Sequence, residues 1–173
     1  MTHSVDLFWS FRSPYSYLAT PRILAMEREW DVNVNVCPVF PIAIRNPDFF
    51  DSIHPLWIPY LLNDVQRVAK FYGMTFAWPS PDPIIMNMKT KVISQEQPYI
   101  FRLTRLGVEA ARRDAGLPFL IEVSEIIFSG KTVGWDQGDH LAQLVQRGID
   151  VCEGIMDLLT GDQREVGGGH GLR

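Results

Sequence analysis

At 173 residues, 46% of them hydrophobic, the chain is long enough to bury one substantial core and reads as a single domain with at most an inserted subdomain. A formal charge of −4 speaks against a general binder of nucleic-acid phosphates, without bearing on a local basic patch. The longest run free of Asp, Glu, Lys and Arg, Val32 to Ile44, holds two Asn and two Pro, so no segment is expected to cross a membrane.

The start, "MTHSVDLFWSF", has no basic opening, no long apolar segment and no small-residue cleavage site, so no signal peptide is expected and the cytoplasm is the expected compartment. Val5 to Phe11 is short, apolar and aromatic, which predicts a buried first strand. Ser13 then reads as an N-cap with Pro14 at the first helical position, where its missing N–H costs nothing. The helix should run from Pro14 to about Arg28, with Pro21 removing the hydrogen bond to the Tyr17 carbonyl and kinking it near the second turn. Val32 to Phe40 alternates Val with Asn before turning apolar, the period of a second strand. Strand, helix and strand within forty residues predict a right-handed parallel βαβ unit.

After Phe40, Pro41, Pro47, Pro55 and Pro59 break up a loop-rich passage that precedes a helix over Tyr60 to Tyr72, ended by Gly73. Thr75 to Pro83 crowds in three prolines and reads as an extended loop. From Gln95 to Ala115, Ile100, Leu103, Gly107 and Ala110 recur at helical spacing, with Arg102, Arg105, Glu109 and Arg112 opposite them on a face read as solvated. Further helices are expected over Pro118 to Phe128 and over "GDHLAQLVQRG", ended by Gly148. Asp150 and Glu153 form a capping-box start for Val151, Ile155, Leu158 and Leu159, and "EVGGGHGLR" has no packing pattern. Cys37 and Cys152, like His3, His54, His140 and His170, are scattered and match neither a CxxC pair nor a zinc spacing. No metal is expected, and the cysteines read as buried thiols.

The chemistry concentrates in "FRSPYSYLATP", residues 11 to 21. A strand that feeds a helix whose first turn carries a hydroxyl creates a site where free N–H groups and the positive end of the helix dipole favour a negative charge. A thiolate held there would have a lowered pKa, and Ser13 would donate a hydrogen bond to it. The plainer alternative leaves Ser13 as a cap and Pro14 as a helix starter.

"DLFWSFRSPYSYLATPRILA", Asp6 to Ala25, resembles the opening of the 2-hydroxychromene-2-carboxylate isomerase family, relatives of the kappa-class glutathione transferases and of DsbA-type oxidoreductases. "YLLNDVQRVAKFYGM" is similar to the family's helix at Tyr60, Asp64, Arg67, Ala69 and Gly73, and "FAWPSP" and "IIFSGKTVGWDQGDHLAQLVQRGID" are weaker likenesses. The resemblance implies that Ser13-Pro14-Tyr15-Ser16 stands where redox relatives carry Cys-x-x-Cys, so that the thiol comes from glutathione as cofactor. It implies an α/β fold, a thioredoxin-like βαβ core with an inserted all-helical subdomain. The expected boundaries are 1–45 for the βαβ part, 46–160 for the insertion and 161–173 for an irregular return. It further implies Ser13 as the catalytic residue, with Pro14, Tyr15, Arg45, Asn46 and Trp78 on the glutathione or substrate side. Family members often carry a lysine before Tyr60; here "HPLWIPY" has no cation, and Arg45 is expected to pair with the substrate carboxylate.

The family also continues with a G-V-P-T-like segment, whereas this sequence stops at Arg173, so the sheet is expected to lack its last two strands and closing helix, as in a truncated or frameshifted reading. The expected activity is glutathione-dependent cis-trans isomerisation of a small aromatic unsaturated keto acid, without nucleic acid or membrane as partner. A kappa-like glutathione transferase is the second reading, and a non-catalytic interaction protein that covers its sheet edges, for instance as a homodimer, is the third.

Overall fold

The computed structural model describes residues 2–87, 90 and 92–148. Strand β1 (His3–Trp9) pairs in parallel with β2 (Val32–Pro38), in a register that sets Val5 beside Val34 and Leu7 beside Val36. These two strands make the one sheet among the described residues, joined by helix α1 (Pro14–Glu29), so the predicted parallel βαβ unit is present. Both strands end earlier than the apolar runs suggest. After Trp9 the chain turns, with the Ser13 N–H donating to the Ser10 carbonyl at 3.0 Å, and Phe11 enters the core from that turn instead of from a strand. In β2, Val34 and Val36 are buried while Asn33 and Asn35 are exposed, as the alternation requires. On the exposed face the Asn35 amide donates to Asp6 at 2.8 Å, tying the two strands. Cys37, expected to be buried, is only half-buried, and Cys152 lies outside the described residues.

Helix α1 continues through Pro21. The proline removes the donor that the Tyr17 carbonyl would have had, and the buried Thr20 hydroxyl replaces it, donating to that carbonyl at 2.8 Å. The proline-rich passage contains two short helices, α2 (Ile42–Arg45) and α3 (Phe49–Ser52), that its composition hid. Helix α4 (Trp57–Phe71) starts before the expected Tyr60 and ends as expected at Gly73, whose φ of +64° suits glycine. There the Gly73 N–H donates to the Lys70 carbonyl at 3.2 Å and the Met74 N–H to the Ala69 carbonyl at 2.9 Å, a Schellman closure.

Helix α5 (Ile100–Arg112) begins five residues after the expected Gln95. Pro98 restricts Gln97 to extended backbone, and the Gln97 amide acts as a clamp. Its oxygen accepts from the Ile85 N–H at 2.9 Å and its nitrogen donates to the Ile85 and Ser94 carbonyls, each at 2.8 Å, beside the Met86–Ile93 bridge. Helices α6 (Gly116–Phe128) and α7 (His140–Gly148) follow the expected positions; the helix and tail expected after Gly148 lie outside the described residues.

Helices α5 and α6 pack on β2, and α1 packs against α4 and α6. Trp9, Phe11, Leu18, Leu103, Leu106, Leu120, Val123 and Phe128 are buried in one cluster between them. Close approach of α5 to the turn after β1 requires Gly107, since a Cβ there would meet the Phe11 ring at 2.9 Å.

Candidate functional site

Ser13 caps α1 from extended backbone (φ −86°, ψ 114°), its Oγ accepting from the Ser16 N–H at 3.2 Å. A hydroxyl that accepts through a lone pair keeps its own hydrogen for a ligand. Pro14 has no N–H, the Tyr17 N–H donates to the Ser13 carbonyl at 3.3 Å, and the Tyr15 N–H has no acceptor among the described residues. The turn therefore presents one backbone donor and one hydroxyl at the positive end of a sixteen-residue helix. No sulfur of this chain stands in the Ser13–Ser16 turn.

Three long-range contacts hold that turn. Arg12 makes a two-pronged ion pair with Asp82, its Nε and Nη2 each donating at 2.9 Å, and Asp82 Oδ1 also accepts from the Ile84 N–H. The Tyr17 hydroxyl donates to the Thr75 carbonyl at 2.8 Å, while its ring stacks on Phe128 with centroids 5.8 Å apart. The loop from Thr75 to Asp82, with a cis Ser80–Pro81 bond, is thus tied to α1 at Thr75 and to the turn before α1 at Asp82, and Trp135 Nε1 donates to its Pro81 carbonyl at 2.9 Å. Third, the Tyr15 hydroxyl donates to Asp64 Oδ2 at 2.6 Å, and the Tyr60 hydroxyl reaches Asp64 Oδ1 at 3.3 Å. Asp64 on α4 thereby brackets the start of α1.

Partial burial, then the hydrogen bond and charge of Asp64, push the Tyr15 phenol up to about 12. The folded value lies above the ordinary 10, so this contribution to stability is intact below pH 10 and is lost as pH rises towards 12. Asp64→Asn is expected to move the Tyr15 midpoint back towards 10 by removing the charge but not the burial. Ultraviolet tyrosinate titration, with Tyr15→Phe as the difference control, checks this; an unmoved midpoint would show that Asp64 has no part in it.

Of the residues expected at the site, Ser13, Pro14 and Tyr15 form the turn itself. Trp78 lies in the loop tied to α1, its ring edge-on to Phe76 at 5.0 Å. Arg45 and Asn46 end α2; the Arg45 Nε donates to the Phe40 carbonyl at 2.8 Å, and Asn46 closes the helix through its own N–H. No hydrogen bond or ring contact joins Arg45, Asn46 or Trp78 to the Ser13 turn among the described residues. Arg12 and Asp82, 70 residues apart, were not expected here, and nothing local in the sequence pairs them. Asp64 and Tyr60 carried a signal only in their helix motif. Among the described residues no group of three His, Cys, Asp or Glu side chains is placed to hold a metal ion, and no helix is long and apolar enough to cross a membrane.

A family model described as a DSBA-like thioredoxin domain matches residues 4–94. A 2-hydroxychromene-2-carboxylate isomerase of Pseudomonas putida is 29% identical over 80 residues, which cover 44% of this chain and 39% of that relative. The match thus spans about two fifths of the relative's length. The solved structure of a selenomethionine 2-hydroxychromene-2-carboxylate isomerase superposes with a TM-score of 0.64 over 92% of this chain and 72% of its own, at 15% identity, a likeness of fold.

Proposed function

The chain belongs to the DsbA-like thioredoxin family, and from that premise we propose that it serves a glutathione-dependent cis-trans isomerase of an aromatic unsaturated keto acid. The observation that carries the reading is the Ser13 turn: a hydroxyl that keeps its hydrogen and the Tyr15 N–H, unbonded among the described residues, both lie at the start of α1, in a Ser13–Ser16 turn whose own sequence carries no thiol. That donor set fits a thiolate, which accepts hydrogen bonds and gains from the helix dipole. Likeness to the Pseudomonas isomerase over 80 residues supports the choice of reaction.

Bound glutathione would supply the nucleophile for reversible addition to the conjugated double bond, which lets that bond rotate without any net redox change. Ser13 donates its hydroxyl hydrogen to the sulfur while the Ser16 N–H holds its oxygen, so the donor is oriented before the ligand arrives. Pro14 sets the first helical φ, and its missing N–H leaves Tyr15 as the backbone donor. The Arg12–Asp82 pair and the Tyr15–Asp64 bond keep the turn from shifting when charge accumulates there.

The expected result in solution is glutathione binding in the low-millimolar range or tighter, about 4 kcal/mol or more. Calorimetry read together with amide chemical shifts of Tyr15 and Ser16 checks it. Neither heat nor shift at millimolar glutathione would remove the cofactor and this function with it.

A further inference from the structure

Helix α4 carries an apolar stripe that outruns the core. Ile58, Leu62, Val65 and Ala69 recur at i, i+4, i+7 and i+11 and so share one side of the helix, with Trp57, Leu61 and Val68 beside them. Hydrogen bonds from α1 reach α4 at Asp64, through Tyr15, and at its C-cap Tyr72, through Arg22 at 2.9 Å. Along that stretch Val65 and Ala69 are buried and Val68 is half-buried, whereas over the first two turns Trp57, Ile58 and Leu62 are exposed. Leu56 and Tyr60 stand at the rim, 68% and 62% exposed. Trp57 is braced edge-on by Phe49 of α3, with centroids 5.9 Å apart.

The exposed stretch is uncharged and is flanked by opposite signs. From Ser52 to Asn63 there is no Asp, Glu, Lys or Arg; Asp48 and Asp51 precede it and Arg67 and Lys70 follow it, all four exposed. Asp64, between them, is engaged by the Tyr15 and Tyr60 hydroxyls. Two such helices laid antiparallel set the acids of one copy against the cations of the other, while a parallel pair would set like against like. A standard interface takes about 800 Å² from each partner, a little over half of it apolar, and the five exposed side chains supply about 500 Å² of that kind. A lipid surface would match the stripe but would leave the acidic flank facing its headgroups.

We infer that two copies of this chain pair through the first two turns of α4, antiparallel about a two-fold axis, with Trp57, Ile58 and Leu62 at the centre and the Asp48–Asp51 flank of each copy against the Arg67–Lys70 flank of the other. The contact lies on α4 and leaves the sheet edges out, and it stands independently of the glutathione reading. Because the Tyr60 hydroxyl reaches Asp64, the pairing also closes over the carboxylate that holds Tyr15.

The test is sedimentation equilibrium of the full chain over a micromolar concentration series, together with concentration-dependent amide shifts. A monomer–dimer equilibrium is expected, with shifts at Trp57 to Arg67 and none at His3 to Trp9. Leu62→Glu, at an exposed position outside the core, should weaken dimerisation by about tenfold or more, since it buries a charge in the apolar centre, while its melting curve stays cooperative. Asp48→Lys and Lys70→Asp should each weaken it severalfold at low salt, and the two together should restore it, as antiparallel pairing requires. A monomer at every concentration, dimerisation indifferent to Leu62→Glu, shifts confined to β1, or a double reversal no better than either single one would each overturn the inference. So would a chain that stays monomeric and binds vesicles of phosphatidylcholine and phosphatidylglycerol, which would give the stripe to a lipid surface.

Discussion

Ser13→Ala is expected to cut the proposed glutathione-dependent isomerisation by roughly ten- to a thousandfold, the range for losing one donor aimed at developing charge. Stability should fall by only about 1 kcal/mol, because the lost bond is the single cap from Ser13 Oγ to the Ser16 N–H. The two effects separate the roles of one hydroxyl: acceptor to the helix, donor to the ligand. A cap alone would give the opposite balance, with a drop in melting temperature and unchanged turnover. Ser13→Cys is the companion measurement. It places a second thiol where the helix start lowers thiol pKa values, and mixed-disulfide formation with glutathione, read by mass spectrometry, is the expected consequence. Turnover of Ser13→Ala equal to that of the parent would take Ser13 out of the mechanism.

Phe11→Ala should have the largest effect on stability, about 3–5 kcal/mol, as expected for truncating a buried aromatic ring. Phe11 is 0% exposed, meets Phe119 edge-on with centroids 6.1 Å apart, and lies against Gly107 of α5. Against a typical domain stability of about 5–15 kcal/mol, that loss leaves a marginal protein. The ring also stands two residues before Ser13, so it fastens the Ser13 turn to α5 and α6. Denaturant midpoints measure the cost, and amide shifts of Ser13 to Ser16 measure the turn. A loss below about 1 kcal/mol would mean that the cavity collapses and that Arg12–Asp82 holds the turn without Phe11.

Much of the architecture was legible along the chain. Ser13-Pro14 marked the helix start, Val–Asn alternation marked β2, and Gly73 marked the end of α4, because caps, period-2 burial and left-handed closure are each encoded within a few consecutive residues. Less local features escaped. The start of α5 moved to Ile100 because Gln97 spends its amide on Ile85, twelve residues away, in preference to a helical turn. Two short helices hid in the proline-rich passage, where composition favours loop and local packing decides otherwise.

The site divides in the same way. The hydroxyl at the helix start could be read from four adjacent residues, since N-cap chemistry is local. Its supports could not: Arg12 meets Asp82 and Tyr15 meets Asp64 across 70 and 49 residues, pairings that exist only once α1, α4 and the Thr75–Asp82 loop have packed. Arg105 and Arg112 followed a helical period that announced an exposed face and nothing more. Only the docking of α5 on β2, allowed by the missing side chain at Gly107, brings that face beside Phe40 and Arg45. Periodicity fixes which way a side chain points from its own helix, whereas what it points at depends on how the elements close over the core.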